Sequence, residues 1–238
     1  MNTNLTEKQK ALRRKILEIS YKNNYSHLGS CLSSVDIIDA VYEVKRPKDI
    51  FILSNGHAGI ALYAVLRSRG KLKSKDINTL HVHPDRNLKN GIHVSTGSLG
   101  QGLPIALGIA LADRKKQVFC LISDGECAEG SIWESLRLAS ELNIKNLTII
   151  LNANGWGAYD SISLIALYKR LRSFTHGLVR VDGHNPQVLK KIITKYKRTL
   201  NIIVAETNVE QFKFLVGLDA HYHVMNEEEF NTALKILI

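Results

Sequence analysis

Five short apolar runs constrain this chain more than any other feature of its sequence. They are "DIFILS" from Asp49, "VFCLI" from Val118, "LTIIL" from Leu147, "GLVRV" from Gly177 and "LNIIVAE" from Leu200. Each is too short for a buried helix and continuous rather than alternating, the signature of strands covered on both faces. Between them run segments of helical period. Thr6 with Gln9 forms a capping box that opens a helix to about Tyr21. "VDIIDAVYEV" is expected to be capped by Ser33 or Ser34, and "HAGIALYAVLRSRG" to be closed by Gly70. "SLGQGLPIALGIALADRKK" reads as a small-residue helix, and "SIWESLRLASELN" sets Ile132, Leu136 and Ala139 on one face. "PQVLKKIITKYKR" supplies the last expected helix. Strands alternating with helices predict an α/β fold, a mostly parallel sheet covered by helices on both faces. No repeat or Pro/Gly-rich linker divides the 238 residues, and 45% apolar composition can fill one large core, so residues 1–238 read as a single domain.

Several classes of function are disfavoured early. No apolar run approaches the length of a membrane span, and the polar start "MNTNLTEKQKALRRK" lacks the apolar stretch of a secretory signal. Cys31, Cys120 and Cys127 are odd in number and scattered, as free thiols of a cytoplasmic protein would be. The net charge of +10 is spread along the chain in small clusters without interleaved aromatics, so solvated helix faces are expected rather than a nucleic-acid site. The pairs His81/His83 and His221/His223 have metal-like spacing, but no third ligand is spaced to complete a zinc site.

In parallel sheets ligands sit beyond the carboxyl ends of strands. Three loops at that edge carry chemistry: "SNGHAG" from Ser54, "SDGECAEG" from Ser123 and "NANGWGAYD" from Asn152. Asp124 and Asn154 offer a carboxylate and a carboxamide oxygen from neighbouring strand ends. A few hard oxygen donors, with room left for phosphate oxygens and water, suit Mg²⁺. Gly125 lets a backbone N–H approach a phosphate.

Asp-Gly followed by Asn at the thirtieth position from the Asp resembles the thiamine diphosphate fingerprint. Its surroundings resemble the amino-terminal, diphosphate-binding domain of the transketolase family. The supporting stretches are "SHLGSCLSSVDIIDAVYE", "DIFILSNGHAGIALYAVL", "HPDRNLKNGIHVSTGSLGQGLPIALGIALA", "SDGECAEGSIWESLRLAS" and "VDGHN", in the family's order. The resemblance implies thiamine diphosphate and Mg²⁺ as cofactors, and transfer of a two-carbon ketol unit from a ketose to an aldose. It implies that Asp124 and Asn154 hold Mg²⁺ with the Trp156 carbonyl, and that Gly125 and His57 contact the diphosphate. It sets Gly97, Ser98 and Leu99 against the aminopyrimidine, and His27, His83 and His221 against the sugar. It gives Glu129 a position at a subunit interface. Glu126 is grouped with the cofactor-binding loop, its carboxylate expected in solvent. His93, His176 and His184 are left as structural or surface residues.

Departures from the family pattern shape the rest of the expectation. Ser123 stands where glycine is usual, and Leu28 where proline is common. Asn152-Ala153-Asn154 replaces a more acidic version, and "TNVEQFKFLVGLDA" replaces a glycine- and lysine-rich stretch. Neither a pyrimidine-binding nor a carboxy-terminal domain fits after Ile238. The resemblance therefore implies one half of a split transketolase, completed as a heterotetramer by a second subunit carrying those domains. General pentose-phosphate metabolism and a specialised sugar pathway are both open to such an enzyme. A deoxyxylulose-phosphate synthase-like enzyme, one chain of a 2-oxo acid enzyme and a non-catalytic subunit stay open as alternatives.

Overall fold

The apolar runs form one five-stranded parallel sheet in the computed structural model, which describes residues 5–77, 80–195 and 200–238. Its strands are β1 (Ile50–Leu53), β2 (Val118–Ser123), β3 (Leu147–Ala153), β4 (Leu178–Asp182) and β5 (Asn201–Glu206), in the order β1-β2-β3-β5-β4. Register aligns Ser123 with Asn152 and Asn152 with Ala205, so the central strands end side by side.

The helices before β2 are α1 (Glu7–Lys22), α2 (Leu28–Val44), α3 (Gly59–Ser68), α4 (Ser74–Ile77) and α5 (Gly102–Ala112). After it come α6 (Gly130–Glu141), α7 (Leu164–Arg172), α8 (Pro186–Thr194), α9 (Asp219–Tyr222) and α10 (Glu227–Ile236). Side chains alternate between the two faces of each strand. Leu53, Phe119, Leu121, Ile150 and Ile203 join α1, α2, α3, α8 and α10 in one core layer. Ile52, Cys120, Ile122, Ile149 and Val204 join α5, α6 and α7 in the other. Between β4 and β5 the chain reverses its direction across the sheet, and the connecting helix α8 lies on the face opposite α6 and α7. Right-handed crossovers require that change of face. No helix among the described residues is long and apolar enough to cross a membrane. All three cysteines are free and buried.

Local expectations fared unevenly. The Thr6–Gln9 capping box forms reciprocally and opens α1 as expected. Ser33 and Ser34, by contrast, do not cap α2. That helix starts at Leu28, and both hydroxyls are buried inside it, where each accepts from Asn152 Nδ2 at 2.9 Å. A tertiary bond to the sheet edge satisfies them in place of a helix amide. Helix α5 starts at Gly102 rather than Ser98. The apolar run of β4 lies at the sheet edge and is only partly buried. Helices α7 and α10 had no sequence prediction, although Ser163 caps the first and an Asn226–Glu229 capping box opens the second. The expected extension of α8 over 196–198 lies outside the described residues.

Candidate functional site

The carboxyl ends of β1, β2 and β3 converge on Asp124. Its backbone N–H donates to the Asn152 carbonyl at 3.2 Å, continuing the sheet for one residue. Its carboxylate, 1% exposed, then accepts from Gly125 N at 3.0 Å and from Gly155 N at 2.6 Å. The two loops that the sequence paired are thus tied through one side chain, at the residue following Asn154. The Asn154 carboxamide oxygen accepts from Trp156 N at 2.9 Å and keeps a second lone pair. The Trp156 carbonyl closes the same corner, 3.9 Å from where a Cβ on Gly125 would stand.

Electrostatically this corner is unbalanced. Burial pushes the Asp124 carboxyl up to about 7, against the lowering effect of its backbone hydrogen bonds. No described cationic side chain is paired with it. A desolvated carboxylate beside a free carboxamide lone pair and a carbonyl is a donor set that fits a hard divalent cation. Gly125 differs from the expectation in one respect, since its N–H points at the Asp124 carboxylate. A cleft of about 380 Å³ opens beside these residues, lined by Leu99, Gly125, Glu129, Asp160, Leu167 and Arg170 among others.

Ser123 and Glu126 build the turn beneath. Ser123 Oγ accepts from Glu126 N at 3.3 Å, so the residue that replaces the usual glycine caps the turn. Glu126 overturns its expectation of solvent exposure. It is fully buried, and its carboxylate accepts from Ser54 Oγ at 2.6 Å, Gly100 N at 2.9 Å and Ser123 N at 3.0 Å. Burial raises its pKa despite those bonds. Glu129 sits at the N-cap of α6, exposed, with its Cβ against Gly100.

On the other side of the loops, four histidines face one another. His27 lies 5.5 Å from His57, 6.2 Å from His83 and 4.5 Å from His221, measured between ring centroids. His57 and His221 are 5.2 Å apart. Burial, then the neighbouring imidazoles of His221 and His83, pushes His27 down to about 4. Burial, then His221, His27 and His83, takes His57 down to about 3. Burial also lowers His221. Neutral imidazoles at physiological pH can accept or relay protons. His27 Nδ1 is buried with no hydrogen-bond partner. Gly97, at φ +153°, lets the loop approach the His83 ring, where an added Cβ would meet Cδ2 at 2.9 Å. Ser98 and Leu99 follow on the same loop.

Sequence reasoning missed two sets of residues. Asn152 is buried, donates to both α2 serines and accepts from Thr207 Oγ1, locking α2 to the strand ends. His184, left as structural or surface, donates from Nδ1 to Asp36, which also holds the buried Arg13 at 2.6 Å. The "VDGHN" stretch carried that signal without naming its partner.

Residues 7–208 match the protein family described as "Transketolase, thiamine diphosphate binding domain". Human transketolase is 34% identical over 209 residues, which cover 76% of this chain and 33% of the relative. One of the subunits of an apulose-4-phosphate transketolase from Actinobacillus succinogenes is 33% identical over 172 residues, covering 63% of this chain and 62% of that relative. The crystal structure of Campylobacter jejuni transketolase superposes with a TM-score of 0.85 at 24% identity, over 97% of this chain and 42% of that one. The chain spans about a third of the length of the full transketolases it matches by sequence.

Proposed function

Since this chain belongs to the family of transketolase thiamine diphosphate-binding domains, we propose that it is one component of a two-component ketol transferase. It would bind the diphosphate of thiamine diphosphate and act with a second subunit that supplies a pyrimidine-binding and a carboxy-terminal domain. The observation that carries this reading is the buried Asp124 carboxylate, without a cationic partner among the described residues, bonded to the amide that follows Asn154.

In this reading Asp124, Asn154 and the Trp156 carbonyl hold Mg²⁺, and Gly125 with His57 faces the diphosphate. Gly97, Ser98 and Leu99 line the aminopyrimidine side. When bound, the coenzyme supplies the electron sink for breaking and remaking the ketose carbon–carbon bond. The chain's own work is orientation and proton handling. His27, His83 and His221 surround one space, and imidazoles held neutral by burial take and return the protons of sugar hydroxyls. Glu129, exposed beside Gly100, is offered to the second subunit. The A. succinogenes relative is itself named as one of several subunits of a transketolase, which supports a separate second component here. We place the heterotetramer in the cytoplasm, in keeping with three buried free thiols. The substrates would be a ketose and an aldose, phosphorylated or not.

Ketol transfer is assayed with this chain alone, with the product of a neighbouring gene alone, and with both, with ketose and pyruvate donors in parallel. Turnover of ketose by the pair only is the expected result. Appreciable turnover by the single chain removes the two-component reading, and turnover of pyruvate alone moves the activity to a related thiamine enzyme.

A further inference from the structure

Three segments meet at Glu126, and only hydrogen bonds to its carboxylate join them there. Ser54 follows β1, Ser123 ends β2, and Gly100 precedes α5; Glu126 Oε1 accepts from the first and last, and Oε2 from Ser123 N. Gly100 is held from its other side too, because Ser131 Oγ donates to its carbonyl at 2.9 Å. The residue sits at φ +77°, and an added Cβ would meet Ser131 Oγ at 2.5 Å and Glu129 Cβ at 2.7 Å. Packing is equally tight at Gly102, whose added Cβ would lie 2.5 Å from Ser54 Oγ. Nothing in this junction can slide without breaking a bond to Glu126. Immediately upstream of Gly100, Leu99 lines the cleft beside Asp124, and Gly97 carries the His83 ring.

We propose that Glu126 is a positioning residue: its carboxylate locks the Gly97–Gly100 segment to the ends of β1 and β2, fixing one wall of the coenzyme site relative to Asp124. This deepens the function proposed above and rests on it. Glu126 is fully buried beneath the loops, so it acts through Gly100 and not by touching a bound molecule. A carboxylate suits the task because it accepts at both oxygens. Three donors are satisfied by it, and an apolar residue would strand all three. Glu126→Gln keeps the volume but turns one oxygen into a donor facing another donor.

The test compares wild type, Glu126→Gln and Glu126→Asp with Leu189→Ala, a core truncation in α8 that touches none of these segments. Hydrogen exchange of the full chain is read first. Faster exchange at the Gly100 and Ser123 amides in the Glu126 variants, and not in Leu189→Ala, is expected. Unchanged protection there overturns the proposal. In the reconstituted pair, Mg²⁺–thiamine diphosphate affinity should fall at least tenfold in Glu126→Gln, with kcat at saturating coenzyme falling less, while Leu189→Ala keeps the wild-type affinity. An affinity within twofold of wild type in every Glu126 variant leaves Glu126 a purely structural residue and also overturns it. If the wild-type pair binds no coenzyme, the function reading has failed, and the exchange data alone decide the lock. Should Glu126→Gln not fold, Glu126→Asp, which keeps the charge and shortens the reach, carries both measurements.

Discussion

The His27 and His221 rings meet edge to face at 4.5 Å, and the His27 backbone N–H donates to the His221 carbonyl at 2.8 Å. The second contact fixes the backbone of α9 against the start of α2, so the ring geometry is built in. His27 pays for its place: it sits at φ +62°, a left-handed conformation that costs a non-glycine residue roughly 1–3 kcal/mol. Asparagine tolerates that conformation better than most residues. His27→Asn should therefore keep or raise the melting temperature while ketol transfer by the assembled enzyme falls about a hundredfold or more. Thermal melts and kcat of the same preparation check it. A loss of both together would make His27 a folding residue.

The buried imidazoles give stability a pH dependence of known sign. His57 titrates near 3 in the folded chain, below the ordinary histidine value, chiefly through burial. The unfolded chain therefore binds the proton first, and the stability associated with neutral His57 is lost as pH falls below about 6.5. Wild-type stability relative to His57→Gln should fall by up to about 1.4 kcal/mol per pH unit in that range. Denaturant melts of both proteins at pH 7, 6 and 5 measure the difference. A flat difference would mean that His57 is charged in the folded state.

What the sequence made legible follows from the range of the forces involved. Continuous apolar runs announce buried strands whatever their neighbours, and all five became strands. Capping is also local, which is why Thr6 and Gln9 behaved as expected. Ser33 and Ser34 did not, because their partner Asn152 is distant in sequence and only the folded sheet brings it near. Glu126 misled for the same reason: a carboxylate next to a glycine turn looks solvated until Ser54 and Gly100 are known to surround it. The histidine cluster was assembled from resemblance, since no spacing rule links positions 27, 57, 83 and 221. The Asn226–Glu229 box and the Ser163 cap obey the same local rule as Thr6 and were readable in the sequence.

Arg13 and Asp36 form a buried ion pair, each side chain 1% exposed, with two bonds at 3.0 and 2.6 Å. Burial alone would raise the Asp36 pKa, but hydrogen bonds from His184 and Arg13 and their charges hold it below the usual carboxylate range. The pair joins α1 to α2, and His184 passes the tie to the segment before α9 by accepting from Asn208 N at 3.0 Å. Removing one partner strands the other charge in the core. Arg13→Met should destabilise the chain by about 3–5 kcal/mol. Because the folded pKa of Asp36 is depressed, its contribution is present above the ordinary carboxylate pKa and disappears as pH falls through the folded value. Melts of Arg13→Met and wild type at pH 7 and pH 3 should converge at the lower pH.

Two glycines with opposite surroundings test how tightly the loops are held. A Cβ on Gly56 would stand 2.5 Å from the Thr96 carbonyl carbon and 2.6 Å from Gly97 N, both backbone atoms that cannot rotate away. Gly56→Ala must therefore move the Thr96–Gly97 segment or distort the turn carrying His57, at a cost of about 1–3 kcal/mol. Gly108 lies inside α5 with nothing within 4 Å of an added Cβ. There alanine only removes backbone freedom from the unfolded chain, and Gly108→Ala should stabilise the isolated chain by about 0.5–1 kcal/mol. Denaturant titration of the two variants gives both signs in one experiment. The Gly56 substitution should also weaken coenzyme binding by the assembled enzyme, because the displaced segment bears Gly97 against the His83 ring. A Gly56→Ala chain of wild-type stability would show that the Thr96–Gly97 segment yields freely, and that the loop is not held where the close contacts put it.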